Sequence, residues 1–487
     1  MPFRDLREYV DALEKEGELL RVAEEVDWNL EVGAIIRRVT ETEAPAALFQ
    51  NIKDYPGGFR ILGSPAGPSG QPGRYYARMA ISMDMNPDSS AVDIMEEYIR
   101  RKDNLISPVL VSDGPCKENI HKGDEVDLLK FPVPLIHGGD GGRYIGTWHI
   151  VVTKDPDTGW VNWGMYRMMV HDRNTIGGII APSQHIGMMH RKYETRGQPM
   201  EFAVALGTEP VTPLIGAGFC PPGINEADLV GAIRREPIEL VKCETVDLEV
   251  PATSEIVLEG VVLPNERKEE GPFGEYSGYQ ASERSPKPVY HVKAVTHRNN
   301  PILPVTCMGV PVDDGQAAAL LLLGAGILDE LRMKNLPVRM VYCPPETVSH
   351  TAFISTKVPY PGFAKKLAHT VWSTQQGNFI YQIVVVDDDV DVTNINEVLH
   401  AFAAKCHPGK GIYIVPDAPA QPHLVPFLDP EDRLVGRGAY VVFDCTWPTH
   451  WKKEQIPVKS SFDVIYPKEI REKVLNKWSA YGFGDSG

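Results

Sequence analysis

The stretch that decides the fold reads "SEIVLEGVVLPNERKEEGPFGEYSGY" and runs from Ser254 to Tyr279. Its first half is rich in apolar β-formers, which predicts a strand. Its second half holds two carboxylates, Glu270 and Glu275, five positions apart around a Gly-Pro pair. A strand would point them to opposite faces, and a helix would separate them by more than about a hundred degrees of arc. A Gly-Pro turn can instead fold both toward one point, although a solvated surface turn is the commoner outcome for loop acids.

The segments on both sides of this stretch continue the β pattern. From about residue 120 to 305, short runs such as "GTWHIVVTKD", "GWVNWGMYRMMV" and "VYHVKAVTHR" alternate with Gly, Pro and Asn turns. This pattern predicts a mostly antiparallel sheet or barrel. Before and after it, helix-like and strand-like segments alternate, which is typical of an α/β fold with partly parallel strands. The 487 residues suit about three domains, and we expect them at 1–115, 116–310 and 311–487, the last with a terminal amphipathic helix.

Composition indicates a globular protein without a nucleic-acid partner. Hydrophobic residues make up 43% and charged residues 23% of the chain, as in soluble globular proteins. The net charge of -16 and the pI near 5.4 argue against nucleic acid, since phosphate binding needs a basic face. The seven cysteines are scattered and form no C-x-x-C pair. That spacing excludes a zinc ribbon and fits reduced thiols in a reducing compartment.

Neither a signal peptide nor a membrane span is evident in the sequence. The N-terminal stretch "MPFRDLREYVDALEKEGELLRV" carries charges throughout and predicts an amphipathic helix with Leu6, Tyr9, Val10 and Leu13 on one face. The longest apolar run, Ala317 to Leu328, is too short to cross a bilayer. We therefore expect a cytoplasmic protein with no membrane partner.

Three residues in the middle of the chain form a candidate metal set. Asn162 lies in a strand-like run, His185 follows a Pro-Ser turn, and Glu226 lies at a predicted helix start. This mixed set suits Mn²⁺ or Mg²⁺ better than a thiolate-preferring metal. It fits a metal that anchors a phosphorylated cofactor, and equally a hydrolytic metal. A lone His is more often structural, and an acid in a first helical turn often only complements the helix dipole.

Arg167 belongs to the same strand-like run as Asn162. Strict alternation places the two side chains on opposite faces, but a bulge at Gly164 would bring both toward one site. Two other polar stretches indicate ordinary structure. The Asp-rich end of "YQIVVVDDDVDV" predicts a strand that reaches solvent. The glycine-rich "HGGDGGRY", residues 137–144, lacks nucleotide-loop spacing and predicts a flexible turn.

Taken together, these segments resemble the UbiD family of reversible, prenylated-flavin-dependent decarboxylases over nearly the whole chain. The most specific parts are "VNWGMYRMM", "PSQHIG", "GINEADLVGAI", "VPATSEIVLEG" and "EGPFGEYSGY". By this resemblance the fold is a multidomain α/β (α+β) one. It has an N-terminal α/β domain, a central split β-barrel that binds the flavin, and a C-terminal α/β oligomerisation domain. The chain is then a homo-oligomer, either a dimer or a hexamer.

The resemblance also implies roles for the motif residues. Arg167, Glu270 and Glu275 match the catalytic network, with Glu275 as the proton donor after CO2 leaves and with Arg167 and Glu270 as positioning groups. With this resemblance, a catalytic role for the Glu270–Glu275 turn is favoured over a solvated surface turn.

A second group of matched residues concerns the cofactor and its ions. Asn162, His185 and Glu226 match the residues that hold Mn²⁺ (or Mg²⁺) against the phosphate of prenylated FMN. Trp160 matches a residue whose backbone carbonyl contacts a K⁺ ion. The remaining matched cofactor contacts are Trp163, Met165, Arg167, Gln184 and Gln375.

Two positions depart from ferulate-type members of that family. Gln375 stands where those members have a Lys near the cofactor phosphate, so one positive charge is missing there. Ala319 stands where they have a bulky aliphatic residue over the substrate, which leaves more room. The matched substrate pocket comprises Ala319, Phe379, His423 and Leu424. His423 could contact a ring hydroxyl or ring N–H, or be an ordinary loop histidine.

The function implied is the reversible, non-oxidative decarboxylation of a planar aromatic or heteroaromatic acid, of the hydroxybenzoate or indole-3-carboxylate type, through a covalent prenylated-FMN adduct. No side chain is an evident electron sink, so a cofactor must carry the hard step. A flavin prenyltransferase would supply that cofactor. The alternatives are a metal-dependent hydrolase that uses His185 and Glu226 with Glu270 as base, and a non-catalytic flavin-binding subunit.

Overall fold

The first sheet has four strands and takes its last strand from a distant part of the chain. We describe a computed structural model, which covers residues 2–218, 220–280, 283–310, 312–421 and 425–483. Its first elements are α1 (Leu6–Lys15), β1 (Leu19–Val26), α2 (Glu31–Glu41), β2 (Ala46–Ile52), β3 (Arg60–Gly63), α3 (Ala77–Ser82) and α4 (Ala91–Lys102). β1 pairs with β2 in parallel and β2 with β3 antiparallel. The fourth strand, Ile302–Val305, pairs with β3 in parallel.

Local sequence explains the start of helix α4 and the packing of helix α1 in this unit. Ser90 caps α4 in a reciprocal capping box with Asp93, which satisfies two backbone donors at the helix start. The predicted apolar face of α1 is confirmed, because its four members are all buried: Leu6, Tyr9, Val10 and Leu13. Burying such a face, rather than helix propensity, supplies most of the stability of a helix this short.

The central sheet has nine strands and is built almost wholly from one continuous part of the chain. Its strand order is β6-β9-β10-β15-β14-β11-β7-β8, with β5 paired to β15, and it is curled into a half-barrel. Every adjacent pair is antiparallel, as predicted. The smaller sheet β13-β12-β4 lies beside it. The elements are β4 (Val109–Val111), β5 (Asn119–Lys122), β6 (Tyr144–Gly146), β7 (His149–Lys154), β8 (Val161–Gly164), β9 (Met168–Val170), β10 (Thr175–Gly178), α5 (His185–Thr195), β11 (Met200–Leu206), α6 (Val211–Ala217), α7 (Glu226–Arg234), β12 (Glu239–Lys242), β13 (Glu249–Pro251), β14 (Ile256–Glu270), β15 (Ser285–His297) and β16 (Ile302–Val305).

The sequence suggested that Asn162 and Arg167 share one bulged strand. The structure instead contains two separate strands in this run. β8 ends at Gly164 and β9 begins at Met168, so Arg167 lies in the link between two strands. The side chain of Tyr166 folds back over Gly164, where an added Cβ would overlap its ring. The break frees Arg167 from strict alternation, because the chain changes direction before it.

The third unit is an α/β layer around a five-stranded sheet of order β17-β18-β19-β21-β20. The inner pairs β18–β19 and β19–β21 are parallel, as predicted for part of this sheet. Its elements are α8 (Asp314–Met333), β17 (Val338–Tyr342), β18 (Thr351–Thr356), α9 (Phe363–Trp372), β19 (Gln382–Asp387), α10 (Ile395–Lys405), β20 (Ile412–Pro419), α11 (Pro430–Val435), β21 (Arg437–Cys445), α12 (Phe462–Ile465) and α13 (Lys468–Asn476).

Helix α8 joins the central sheet to the third unit. It is apolar on nearly all sides, and its buried residues include Leu321, Ala325 and Leu328, as expected for a helix enclosed in a core. Among the described residues, none of the helices combines the length and apolar character that a membrane span needs. The mixed, three-part α/β architecture is confirmed. The domain limits stay a prediction, and the strand Ile302–Val305 hydrogen-bonds to the first sheet.

Candidate active site

The turn after β14 brings the two glutamates of the opening stretch to one point. Glu270 is the last residue of β14, and Gly271 adopts a positive φ of 84°, a conformation that favours glycine. The peptide bond between Gly271 and Pro272 is cis. Two hydrogen bonds hold the backbone of Glu275. Its N–H donates to the Tyr279 carbonyl at 3.2 Å, and its carbonyl accepts from the Gly278 N–H at 2.9 Å. The turn therefore brings the two carboxyl groups close together although they lie five residues apart in the sequence.

Arg167 joins the two glutamates through one guanidinium group. Its Nε lies 3.0 Å from Oε1 of Glu270 and its Nη2 lies 2.8 Å from Oε2, which is the bidentate fork that arginine offers a carboxylate. Its Nη1 donates to Oε1 of Glu275. The three side chains are 6%, 0% and 8% exposed for Arg167, Glu270 and Glu275. The ring of Phe273 packs beneath the guanidinium, 5.4 Å from centroid to Cζ. The arrangement is rigid, charged and shielded from water.

The two glutamates differ in what they face. Glu275 lines the large cavity of the molecule, whereas Glu270 does not. Glu270 is enclosed by Arg167 and by Tyr144, whose hydroxyl donates to Oε1 of Glu270 at 2.8 Å. Burial raises the pKa of Glu275, and the charge of Glu270 adds to this, while Arg167 opposes it. A carboxyl group that faces a cavity with a raised pKa can carry a proton to a bound molecule.

The cavity measures about 300 Å³ and lies between the central sheet, α5, α7 and α8. It contains most of the predicted cofactor contacts. Trp163, Met165, Gln184 and Gln375 all line it. Its wall also includes the first residues of α5 and α7, and α5 begins without a side-chain cap. Helix N-termini attract anions such as phosphate, because their first N–H groups lack partners within the helix.

The predicted metal residues come from three elements and meet at this cavity. Asn162 lies on β8, His185 begins α5 and Glu226 begins α7. Oδ1 of Asn162 and Nδ1 of His185 are 3.2 Å apart. All three residues line the cavity and are less than a tenth exposed. Their convergence gives two oxygen donors and one nitrogen donor facing one space.

Glu226 carries the clearest electrostatic sign of a cation site. It is 3% exposed, accepts a hydrogen bond from the Trp163 backbone at 2.9 Å, and has no ion-pair partner among the described residues. Burial raises its pKa to about 7. A bound divalent cation would favour the ionised form, so the donor set fits Mn²⁺ or Mg²⁺. Within the part of the chain described, no three His, Cys, Asp or Glu residues cluster as a metal site, and this set has only two of them because its third donor is an asparagine.

Two further predicted residues lie beside this set. The Trp160 ring packs edge-on against His185, 4.8 Å between centroids. Trp160 does not line the cavity, and its carbonyl accepts a 2.8 Å hydrogen bond from the Asp155 backbone. Nε2 of Gln375 lies 3.4 Å from Nε2 of His185. Gln375 therefore lies beside the candidate metal set as a neutral side chain.

The predicted substrate residues divide into described and undescribed positions. Ala319 and Phe379 both line the cavity. His423 and Leu424 lie outside the described residues. The strand end after β19 behaves as expected, since Asp388 and Asp389 are exposed.

The sequence missed the neighbours that hold the glutamate turn. Tyr144 and Asp140 belong to the glycine-rich stretch that we expected to be only a flexible turn. Asp140 accepts a hydrogen bond from the Gly274 backbone at 2.9 Å. Their partners lie 126 and 134 residues away, so no local pattern could have indicated these contacts.

Three family models match consecutive parts of the chain. They are described as the N-terminal, Rift-related and C-terminal domains of UbiD, 3-octaprenyl-4-hydroxybenzoate carboxy-lyase, and they match residues 10–98, 109–311 and 320–445. A pyrrole-2-carboxylic acid decarboxylase of Pseudomonas aeruginosa is 39% identical over 99% of both chains.

Solved structures match over most of the chain as well. Vanillic acid decarboxylase of Sedimentibacter hydroxybenzoicus in its closed form gives a TM-score of 0.88 at 29% identity, covering 98% of this chain and 99% of that one. The UbiD-class enzyme HmfF of Pelotomaculum thermopropionicum in complex with FMN gives 0.80 at 31% identity, covering 94% and 97%. An evolved dimeric form of HmfF with prFMN gives 0.77 at 30% identity, covering 93% and 97%.

Proposed function

Because this chain belongs to the UbiD family of carboxy-lyases, we propose that it decarboxylates a planar aromatic or heteroaromatic acid, reversibly and without net oxidation, with prenylated FMN as cofactor. The observation that carries this proposal is that the guanidinium of Arg167 hydrogen-bonds to two buried glutamates, Glu270 and Glu275. Of the two, only Glu275 lines the cavity. The same cavity receives the metal set Asn162, His185 and Glu226.

The cofactor supplies what the side chains lack. Loss of CO2 from an unsaturated carbon leaves an electron pair there, and the prenylated flavin when bound provides the electron sink for it. Trp163, Met165 and Gln184 would contact it. Asn162, His185 and Glu226 would hold Mn²⁺ or Mg²⁺ against its phosphate, near the N-termini of α5 and α7. The backbone of Trp160 would contribute to a neighbouring K⁺ site, and Gln375 would contact the phosphate without adding charge.

The Arg–Glu–Glu network performs the proton transfer and the positioning. Arg167 orients the substrate carboxylate and, through its fork to Glu270, keeps a fixed place at the cavity wall. Glu275 holds a proton because of its burial and gives it to the carbon that CO2 has left. Glu270 remains enclosed between Arg167 and Tyr144. The low exposure of the three side chains keeps water away from the reacting carbon.

Kinship favours a heteroaromatic acid, and the room at Ala319 would accept a one-ring or a two-ring one. The relative at 39% identity is named for pyrrole-2-carboxylic acid. Ala319 on α8 leaves space beside the reacting carbon, where a larger aliphatic side chain would fill it. We therefore propose pyrrole-2-carboxylate or indole-3-carboxylate as first choices, with hydroxybenzoates next. Phe379, and from the sequence His423 and Leu424, would line the ring.

We propose that the protein works as a homo-oligomer in the cytoplasm, either a dimer or a hexamer. Large apolar side chains on the third unit are exposed, among them Leu434 at 88% and Val435 at 69% on α11. Such residues are commonly covered in an oligomer. The seven cysteines are all free, which supports a reducing compartment. A flavin prenyltransferase is the proposed source of the cofactor.

The test is to produce the chain with and without a flavin prenyltransferase and to measure CO2 release from a panel of acids. The panel contains pyrrole-2-carboxylate, indole-3-carboxylate, 4-hydroxybenzoate and ferulate. We expect a coloured protein that releases CO2 only after co-production. Colourless protein with hydrolytic activity would favour the hydrolase alternative, although its proposed base, Glu270, does not line the cavity. Loaded flavin without CO2 release from any acid would favour the non-catalytic subunit.

A further inference from the structure

A histidine–aspartate pair outside the catalytic network holds the turn that carries Glu275. Oδ2 of Asp140 lies 2.9 Å from Nδ1 of His137 and accepts from the His137 backbone at 3.0 Å. Oδ1 of Asp140 accepts from the backbone of Gly274, the residue before Glu275, at 2.9 Å. The Asp140 side chain is fully buried. One carboxylate therefore joins the glycine-rich loop to the glutamate turn.

The second ring nitrogen of His137, Nε2, contacts a third segment of the chain, which begins at Cys307 and Met308. Its Nε2 lies 2.8 Å from the carbonyl oxygen of Met308 and 3.3 Å from Sγ of Cys307. A carbonyl oxygen and a carboxylate only accept hydrogen bonds, so both ring nitrogens of His137 carry protons and the ring is an imidazolium. Burial alone would lower the pKa of His137, but its contacts with Asp140 and Cys307 raise it to about 10.

The three segments are packed without spare room at these contacts. The backbone of Gly141 donates to the Pro272 carbonyl at 2.8 Å, and a Cβ on Gly141 would overlap the Gly271 carbonyl. A Cβ on Gly274 would lie 2.6 Å from the His137 ring. These glycines allow the loop, the turn and the imidazole to approach more closely than any other residue would permit.

The third segment leads directly to the cavity. Met308 lines the cavity, and the chain then enters α8, which carries Ala319. Arg37 of α2 anchors this segment by donating to the carbonyl of Cys307 at 2.9 Å and to that of Val312. The far side of the histidine is therefore tied to a fixed part of the first unit.

We propose that His137 and Asp140 are a positioning pair, which holds Glu275 at its catalytic distance by clamping the glutamate turn to the segment that leads into α8. This inference rests on the proposed function, because it assumes that Glu275 is the proton donor. Neither residue lines the cavity, so neither touches substrate. Their effect passes through the Gly274 backbone and through the charge balance around Glu275.

The charge balance makes the two members distinguishable. The charged groups that act on Glu275 are Arg167, Glu270 and Asp140. The charged partner of His137 is Asp140, and its other neighbours are the Cys307 thiol and the Met308 carbonyl. In the native pair, the imidazolium offsets the negative charge of Asp140. Removing the imidazolium alone leaves that charge uncompensated, which favours the protonated form of Glu275.

The first experiment compares His137→Ala with His121→Ala in holoenzyme produced with the prenyltransferase. His121 is a half-buried histidine of β5 that stacks on His297 and does not line the cavity. We expect His137→Ala to lower kcat by about tenfold or more with little change in KM, since a displacement of about 1 Å can cost roughly 100-fold. Flavin absorbance and metal content should match wild type, and His121→Ala should behave as wild type.

The second experiment follows the alkaline limb of kcat against pH. His137→Gln can still donate to Met308 but is neutral, so the limb should move to higher pH. Adding Asp140→Asn should return the limb toward its wild-type position, because the pair is then neutral again. If the pair had only a structural role, both variants would have a lower kcat. The alkaline limb would then neither move to higher pH in His137→Gln nor return when Asp140→Asn is added.

Two results would overturn the proposal. One is a wild-type kcat in both His137→Ala and Asp140→Asn. The other is a limb that stays in place in His137→Gln. If the wild-type chain released no CO2 from any acid, the proposed function would fail first, and deuterium exchange of backbone amides over residues 271–280 would still test the clamp. Exchange there should rise in His137→Ala and not in His121→Ala, and an unchanged rate would refute the clamp itself.

Discussion

At the scale of single residues, two glutamates in one turn acquire different chemistry from their surroundings. Glu270 accepts three hydrogen bonds, two from Arg167 and one from Tyr144, and does not face the cavity. Glu275 accepts from one nitrogen of Arg167 and lines the cavity, where burial raises its pKa. The three side chains form one hydrogen-bonded network. Their residue types were readable from the sequence, but their different exposure to the cavity was not.

The first prediction concerns Glu275 itself. Glu275→Gln should abolish steady-state turnover while flavin absorbance stays at the wild-type level, since glutamine fills the same space but donates no proton. In the wild type, kcat should fall as the pH rises through the folded pKa of Glu275, because the ionised form has lost the proton to be given. Full activity in a loaded Glu275→Gln protein would end the assignment.

The second prediction concerns Tyr144, which the sequence did not indicate. Tyr144→Phe removes one donor from the buried carboxylate of Glu270, and losing a hydrogen bond to a charged group costs about 1.5–3 kcal/mol. We expect kcat to fall by roughly tenfold or more. Tyr290→Phe is the matched control, because the Tyr290 hydroxyl is buried without a hydrogen-bond partner among the described residues. Equal activity of the two variants would contradict a role for Tyr144.

At the scale of elements, the site depends on where strands and helices begin and end. The starts of α5 and α7 place His185 and Glu226, and the end of β8 near Gly164 places Asn162. The start of α7 was predictable because its signal is local, whereas the sequence indicated only a turn before His185. The break between β8 and β9 was not predictable from local signals, because it involves a contact between distant residues: the Met165 backbone donates a 2.9 Å hydrogen bond to the Gly216 carbonyl. Long-range packing decided the position of Arg167.

The third prediction tests the ligand set at the start of α5. His185→Ala should purify with little flavin and little metal, as should Glu226→Ala, because the phosphate anchor is lost. His190→Ala is the control, since His190 lies on the same helix, is also buried and does not line the cavity. Absorbance spectra and elemental analysis give the readout. Normal flavin and metal content in His185→Ala would remove the metal assignment.

The fourth prediction concerns the N-cap of α8. Burial raises the pKa of Asp313 to about 7, so the folded state binds its proton more tightly than the unfolded state. Its contribution to stability is fully present below about pH 4 and is lost as the pH rises through about 7. Asp313→Asn should remove this loss, because asparagine also caps helices but does not ionise.

The measurement for Asp313 is the free energy of unfolding from denaturant titrations between pH 4 and pH 8. The difference between Asp313→Asn and wild type should shift in favour of the variant as the pH rises. Asp5→Asn serves as the control, because Asp5 caps α1 and its pKa is lowered. Its effect should stay nearly constant over that range. A constant difference for Asp313→Asn would show that Asp313 is ionised throughout.

At the scale of the whole molecule, the central and third units enclose one cavity. The central unit supplies Arg167 and the metal set, while α8 and the segment before it supply another part of the wall. The sequence motifs were sufficient to predict the three-part fold and the residues that the cavity gathers. They could not indicate the clamp at Asp140 or the return of the chain to the first sheet, since both depend on contacts between residues far apart in sequence.

The most direct test of the central claim is deuterium exchange at the carbon that loses CO2. The decarboxylated product of each acid is incubated in D2O with holoenzyme, and the ring protons are followed by proton NMR. We expect exchange at one ring position with wild-type protein and none with a Glu275→Gln protein of equal flavin content. Loaded wild-type protein that exchanges no product, or a Glu275→Gln protein that exchanges at the wild-type rate, would contradict the account.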